Sequence, residues 1–385
     1  MNAQAYVPTN EGDPTQLHQP EVRELIDGAT AIVRGALAAG CDFFAGYPIT
    51  PATPILLAMM REMPKIERTL GVRGIAVQGE DEISSIGMCL GAAATGRRAL
   101  TATSGPGMSL YSENIGLAIM AELPLVIVDV QRLGPSTGGA TSTGQGDVQF
   151  VRWGTGGGYP LIVLAPSTIA ECATLTVEAF RLAAQFRAPV VVLTDKELNL
   201  TRATVDLSEF AALEAQGAPA PSVAPWRLGA GRVVRFTGST HDEHKMMTKD
   251  PIKIEALNRR LLSKYDAQRQ VLERVTLDLD VACGVGSGTL LISYGTPAGA
   301  VRAAVQLARG QGRCVSSAVV LSLWPVPEGR LRRAAETASR IVVVELNPGL
   351  YAREVRCLFP NREVVSLSRV DGQLITPEDV VAACL

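Results

Sequence analysis

Glu80, Asp81 and Glu82 stand in a row at the head of a stretch, IleSerSerIleGlyMetCysLeuGlyAlaAlaAla, that is otherwise small or apolar. Acids so placed commonly complement the positive end of a helix. Helical spacing separates the three: Glu82 leads onto Ile86, Cys89, Leu90 and Ala93, whereas Glu80 leads onto Ser84 and Gly87, and Asp81 onto Ser85 and Met88. Glu82 therefore heads the most apolar stripe. A carboxylate there must accept a strong hydrogen bond or carry a raised pKa, and both suit proton chemistry better than a surface acid does. Past Gly96 the run ArgAlaLeuThrAlaThrSer predicts a buried strand, closed by Ser104, Gly105, Pro106 and Gly107 ahead of another helix. Glycines at such a corner let a planar or anionic cofactor approach the main chain closely.

Two more strand ends carry chemistry. TyrProIleThrPro (47–51) overlaps the end of the predicted strand CysAspPhePheAlaGlyTyrPro and places Thr50 as an N-cap with Pro51 at the first helical position. LeuProLeuValIleValAspVal predicts a further strand, after which Arg132 opens a Gly/Ser/Thr loop over 131–147 that is too long for an ordinary connection. Such alternation of strands and helices predicts a parallel sheet covered on both faces, with ligands at the carboxyl ends of the strands. Each of these features falls at such an end. A second alternating unit starts at 289–295, with strands near 314–321, 341–346 and 363–367, so the fold class is α/β with two doubly wound parallel-sheet domains.

Composition agrees with that reading. A chain of 385 residues that is 47% hydrophobic can bury a large core and suggests two domains. Lys plus Arg number 36 against 38 Asp plus Glu, a balance that favours neither nucleic acid nor a membrane surface as partner. Apolar runs fall short of the roughly 20 residues a membrane span needs, and no basic-then-apolar leader opens the chain, so a cytoplasmic location is expected. The seven cysteines are scattered without a CxxC pair and read as reduced thiols. His241 and His244 flank two acids, but their spacing matches no known cage, and no metal site is expected. Residues 1–27 read as a mobile tail, 28–202 as the first domain, 203–280 as a linker with an amphipathic helix over 253–275, and 281–385 as the second domain.

TyrProIleThrPro (47–51), GluAspGluIleSerSerIleGly (80–87), ThrAlaThrSerGlyProGly (101–107), ValGlnArgLeuGlyProSerThrGly (130–138), ValValGluLeuAsn (343–347) and ValAspGlyGlnLeuIleThrPro (370–377) together resemble the α subunit of 2-oxoacid:ferredoxin oxidoreductases, over about residues 28–380. The resemblance implies a pyrimidine-binding thiamine-diphosphate domain and a transketolase C-terminal-like domain. It also implies oxidative decarboxylation of a 2-oxoacid, 2-oxoglutarate favoured, to acyl-CoA and CO2. By that likeness Glu82 bonds N1′ of the aminopyrimidine and activates the cofactor, Tyr47, Pro48, Ile49 and Ser104 to Gly107 line the cofactor, and Thr50 and Arg132 hold the substrate. Thiamine diphosphate would be shared with a β subunit, coenzyme A would be the co-substrate, and ferredoxin the electron acceptor. The chain lacks the GlyAspGly and AsnAsn pattern for Mg2+ and diphosphate and lacks cluster cysteines, so Mg2+ and the iron-sulfur cluster are expected in the partner. A heterodimer or dimer of heterodimers follows, with γ and δ subunits as an elaboration. Two alternatives stand beside this: the same chemistry on branched-chain or other 2-oxoacids, or a non-catalytic scaffold subunit.

Overall fold

Apolar strands alternating with small-residue helices build two parallel sheets and one short ribbon. The computed structural model describes residues 23–70, 73–206, 233–280 and 287–384, with positions 228, 231 and 284 between them. The first part runs β1 (Arg23–Asp27), α1 (Gly28–Ala38), β2 (Phe43–Gly46), α2 (Thr53–Leu70), β3 (Ile75–Gln78), α3 (Glu82–Ala94), β4 (Ala99–Thr103), α4 (Gly105–Leu110), α5 (Ser112–Ala121), β5 (Leu125–Gln131), α6 (Val148–Trp153), β6 (Ile162–Leu164), α7 (Ile169–Phe186), β7 (Pro189–Asp195), α8 (Lys196–Leu200) and β8 (Arg202–Asp206). The rest runs α9 (Pro251–Leu262), α10 (Arg269–Leu272), β9 (Val275–Asp278), β10 (Gly288–Ser293), α11 (Pro297–Gly310), β11 (Val315–Val320), β12 (Ser322–Trp324), α12 (Glu328–Ala334), β13 (Ala338–Glu345), α13 (Leu350–Leu358), β14 (Glu363–Ser368) and α14 (Pro377–Ala383).

The first sheet has the order β12-β6-β7-β5-β4-β2-β3 and is parallel except for β12. Its central strand β5 is buried throughout, and its side chains alternate between two cores. Val126, Val128 and Val130 meet Ile32, Ile55 and Phe180 from α1, α2 and α7. Ile127 meets Ile86 and Ile115 from α3 and α5, in a core that continues into Tyr294, Trp324 and Tyr351 of the second unit. That shared core fixes the second unit against the α3 face of the first sheet. The second sheet has the order β14-β13-β10-β11-β9 and is parallel except for β9.

Local signals account for the helix ends. Asp27 caps α1, accepting from Thr30 N at 2.8 Å, and Thr168 caps α7 from Glu171 N at 3.1 Å. Several boundaries differ from the expectation. Arg23–Asp27, read as tail, pairs antiparallel with β8, while residues 1–22 lie outside the described residues. The helix expected over 253–275 stops at Leu262, where the Ser263 hydroxyl donates to Arg259 O at 2.8 Å, and the chain goes on to join the second sheet as β9. A strand of the second unit, β12, extends the first sheet beside β6. Cys41, Cys89 and Cys172 are buried free thiols, but Cys314 is disulfide-bonded, because separation along the chain does not measure separation in space.

Candidate active site

The three acids part company at the start of α3. Asp81 is the N-cap: its carboxylate accepts from Ser84 N at 2.6 Å, while the Ser84 hydroxyl accepts from Asp81 N at 3.2 Å, a reciprocal pair that uses up the exposed acid. Glu80 is exposed. Glu82, the first helical residue, turns inward and is only 7% exposed. Over it lies the corner after β4. A Cβ at Gly107 would stand 2.6 Å from Glu82 Cγ, 2.9 Å from its Oε1 and 2.1 Å from Thr103 Oγ1. Only a residue without a side chain lets that main chain close on the carboxylate. Among the described residues no hydrogen-bond donor meets the Glu82 carboxylate. The carboxylate therefore keeps its accepting capacity for a group from outside the described residues.

The same corner supplies the other predicted residues. Ser104 O accepts from Gly107 N and Met108 N at 2.8 and 3.0 Å, and Pro106 lies in the first turn of α4. The Ser104 hydroxyl is buried without a partner. A Cβ at Gly105 would lie 3.0 and 3.1 Å from the two carboxylate oxygens of Asp147, which ties this corner to the end of the 131–147 loop.

Thr50 and Arg132 meet directly, though not as their types suggested. Arg132 follows β5, is 7% exposed, and donates from Nη1 to the Thr50 carbonyl oxygen. Its Nε is buried and unpartnered, so part of the guanidinium fork is still free to bind. Helix α2 begins at Thr53, not at Pro51, and Thr50 is no N-cap: a cis Thr50–Pro51 peptide turns the chain and the Thr50 carbonyl goes to Arg132 instead of to a helical amide. Asn199 Nδ2 secures the next carbonyl, Pro51 O, at 2.9 Å. Pro48 and Ile49 are half-buried behind this turn, and Tyr47 stands exposed between β2 and α2.

Two further acids complete the electrostatics. Asp129 on β5 lies opposite Thr103 in the β4–β5 register, is fully buried, and has no partner for either carboxylate oxygen; Asp147 Oδ2 is likewise unpartnered. Burial pushes both carboxyls above their usual range. The neighbouring Asp147 holds Asp129 up further, whereas Arg132 opposes the shift at Asp147. Asp147 N donates to Gln131 Oε1 at 3.1 Å, which fixes the loop end beside β5. Asp147 thus lies next to both groups of predicted residues, against Gly105 on one side and within the field of Arg132 on the other. The signal that would have found Asp129 is visible in the sequence as the one acid inside the apolar run 125–131. The His241 ring is occupied by Ser239 O at 3.0 Å and Lys245 Nζ at 3.1 Å, a contact within the fold.

Comparisons with known proteins fit this geometry. Residues 34–250 match the family described as pyruvate flavodoxin/ferredoxin oxidoreductase, thiamine diphosphate-binding, and residues 288–380 match pyruvate:ferredoxin oxidoreductase core domain II. The chain is 39% identical to the 2-oxoglutarate synthase subunit KorA of Methanothermobacter marburgensis, over 92% of this chain and 96% of that protein. It is 36% identical to the ketoisovalerate oxidoreductase subunit VorB of Methanothermobacter thermautotrophicus, over 93% and 96% respectively. Among solved structures, the 2-oxoglutarate:ferredoxin oxidoreductase of Magnetococcus marinus, with 2-oxoglutarate, coenzyme A and succinyl-CoA bound, superposes with a TM-score of 0.84 at 28% identity, covering 97% of this chain and 67% of that one.

Proposed function

The chain belongs to the 2-oxoacid:ferredoxin oxidoreductases as an α subunit, and on that premise we propose that it serves the oxidative decarboxylation of 2-oxoglutarate to an acyl-CoA and CO2. The observation that carries the reading is the Glu82 carboxylate, buried under Gly107 and without a donor. An aminopyrimidine ring nitrogen bearing a proton is the donor that this acceptor suits. Thiamine diphosphate, when bound, supplies the carbon nucleophile and electron sink that 2-oxoacid decarboxylation needs. Glu82 keeps a proton at that ring nitrogen and so sets which tautomer the ring adopts. Ser104 to Gly107 and Tyr47 to Ile49 give the ring its main-chain surroundings. Arg132 holds the substrate carboxylate through the part of its fork that Thr50 does not use, and Thr50 fixes the orientation of that fork. Coenzyme A takes the acyl group.

The division of labour follows from what this sequence lacks. With scattered cysteines and no diphosphate-binding motif, it needs a β subunit that brings Mg2+, the diphosphate site and the iron-sulfur cluster, and passes electrons to ferredoxin. The unit over 28–202 acts as the pyrimidine-binding domain and 281–385 as the transketolase C-terminal-like domain. No helix among the described residues is long and apolar enough to cross a membrane, and the proposed location is cytoplasmic.

Purifying the chain with its partner and measuring coenzyme A-dependent ferredoxin reduction on 2-oxoglutarate, pyruvate and 2-oxoisovalerate tests this. The specificity constant should be highest for 2-oxoglutarate; a preference for 2-oxoisovalerate would move the substrate to the branched-chain class. Glu82→Gln should assemble normally and lower turnover by about 10² to 10⁴-fold. Near-normal turnover in that variant would return the chain to a scaffold role.

A further inference from the structure

The loop that Arg132 opens is polar and glycine-rich, and ordering it costs conformational entropy that its contacts must offset. Within itself it has few: Leu133 N to Ser142 O at 3.0 Å, Gly139 N to Leu133 O and Ser142 N to Gly139 O, both at 2.9 Å. Its far end is held from outside. Gln145 is fully buried and spends every polar group on residues of the opposite unit or of β7. Its backbone N donates to Leu346 O at 2.8 Å and its carbonyl accepts from Asn347 Nδ2 at 2.9 Å. Its side-chain Oε1 accepts from Leu346 N at 3.1 Å, and Nε2 donates to Asp195 Oδ2 at 3.2 Å and Tyr294 O at 3.3 Å.

Those partners are themselves fixed. Asp195 takes further donors from Thr296 N at 2.8 Å and Leu198 N at 3.1 Å. Asn347 Nδ2 also donates to Tyr294 Oη at 2.7 Å, and Tyr294 Oη to Glu345 Oε2 at 3.0 Å. Gly372 seats against the same loop, where a Cβ would lie 3.2 Å from Ser142 Cβ.

We propose that Gln145 is a positioning residue, through which the second unit holds the 132–147 loop so that Arg132 and Asp147 at its two ends keep their working places. This rests on the reading of Arg132 as the group that holds the substrate carboxylate. A second contact across the same interface, Arg302 Nη2 to Ser167 O at 3.1 Å, does not involve the loop and separates positioning from mere attachment.

The test compares Gln145→Met, Arg302→Met and Arg132→Lys in the complex with the partner subunit. Gln145→Met keeps the side-chain volume and removes three hydrogen bonds while leaving Asp195 its other donors. It should raise KM for the 2-oxoacid roughly tenfold with kcat within about twofold. Amide hydrogen exchange at Leu133, Gly139 and Ser142 should quicken in it and stay unchanged in Arg302→Met. Should Gln145→Met fail to assemble, Asn347→Ala, which takes one donor from Gln145 O, should give the same KM-selective change at about threefold. Equal KM and equal loop exchange in the Gln145 and Arg302 variants, with Arg132→Lys impaired, would overturn the positioning role alone. If Arg132→Lys were silent as well, the reading of Arg132 would fall first.

Discussion

Gly107→Ala places one methyl group where the structure has none to spare. The added carbon would start 2.1 Å from Thr103 Oγ1 and 2.6 Å from Glu82 Cγ, whereas ordinary contact begins near 3.4 Å. Thr103 belongs to a buried strand and is 1% exposed, so it has nowhere to go. The displacement of roughly an ångström therefore falls on Glu82 or on the corner itself. Overpacking of this kind costs about 1 to 3 kcal/mol, and an ångström of misplacement at a reacting group costs on the order of 10²-fold in rate. Both should appear together, as a lower melting temperature and a lower kcat of the assembled enzyme. Gly299→Ala is the comparison: nothing lies within 4 Å of its Cβ position, it sits inside α11, and alanine there should stabilise by up to about 1 kcal/mol with activity unchanged. A destabilised Gly107→Ala with full turnover would refute the reasoning, because it would show that Glu82 can move without consequence.

Arg132→Lys should lower kcat/KM by about ten- to a hundredfold, since a point charge cannot hold Thr50 O and a carboxylate with one rigid fork; steady-state kinetics on three 2-oxoacids should show equal losses, and a loss confined to 2-oxoglutarate would mean that Arg132 reads the distal carboxylate. Asp129→Asn has an expected pH signature. Because the folded carboxyl titrates above its unfolded value of about 3.9, the wild-type protein loses stability as pH rises from there through the folded pKa, and the variant does not. Thermal unfolding across that range should show Asp129→Asn gaining on the wild type as pH rises; a constant difference would mean that Asp129 is already ionised and paired.

The sheet positions legible in the sequence were those with internal periodicity. The core strands β4, β5 and β7 are continuous apolar runs bounded by turn residues, and α1, α3 and α7 begin at residues whose side chains cap them, Asp27, Asp81 and Thr168. The strands that local pattern does not show, β1, β6, β8, β9 and β12, are three to five residues long, and each has an antiparallel partner. Such short segments have no period of their own; the partner strand decides them, and for β12 that partner is β6, with Ser322 set against Leu164, far outside any local window.

The site divides along the same line. Glu82 could be singled out because helical spacing alone decides which acid faces the core once Asp81 takes the cap. Thr50 was recognisable by type, yet its use depended on Arg132, 82 residues away, which draws its carbonyl out of the helix that would otherwise start there. Asp129 and Gln145 needed more. An acid in an apolar strand signals a function only if something neutralises it, and the neighbour that bears on Asp129 arrives from the end of a loop whose course local sequence does not set. That loop is set by Leu346 and Asn347, some 200 positions later, through Gln145. The carboxylate proposed as catalytic is specified within one turn of helix, whereas the proposed grip on substrate, built from a loop, requires a second folded unit behind it. This explains why the first was legible in the sequence and the second only in the assembled fold.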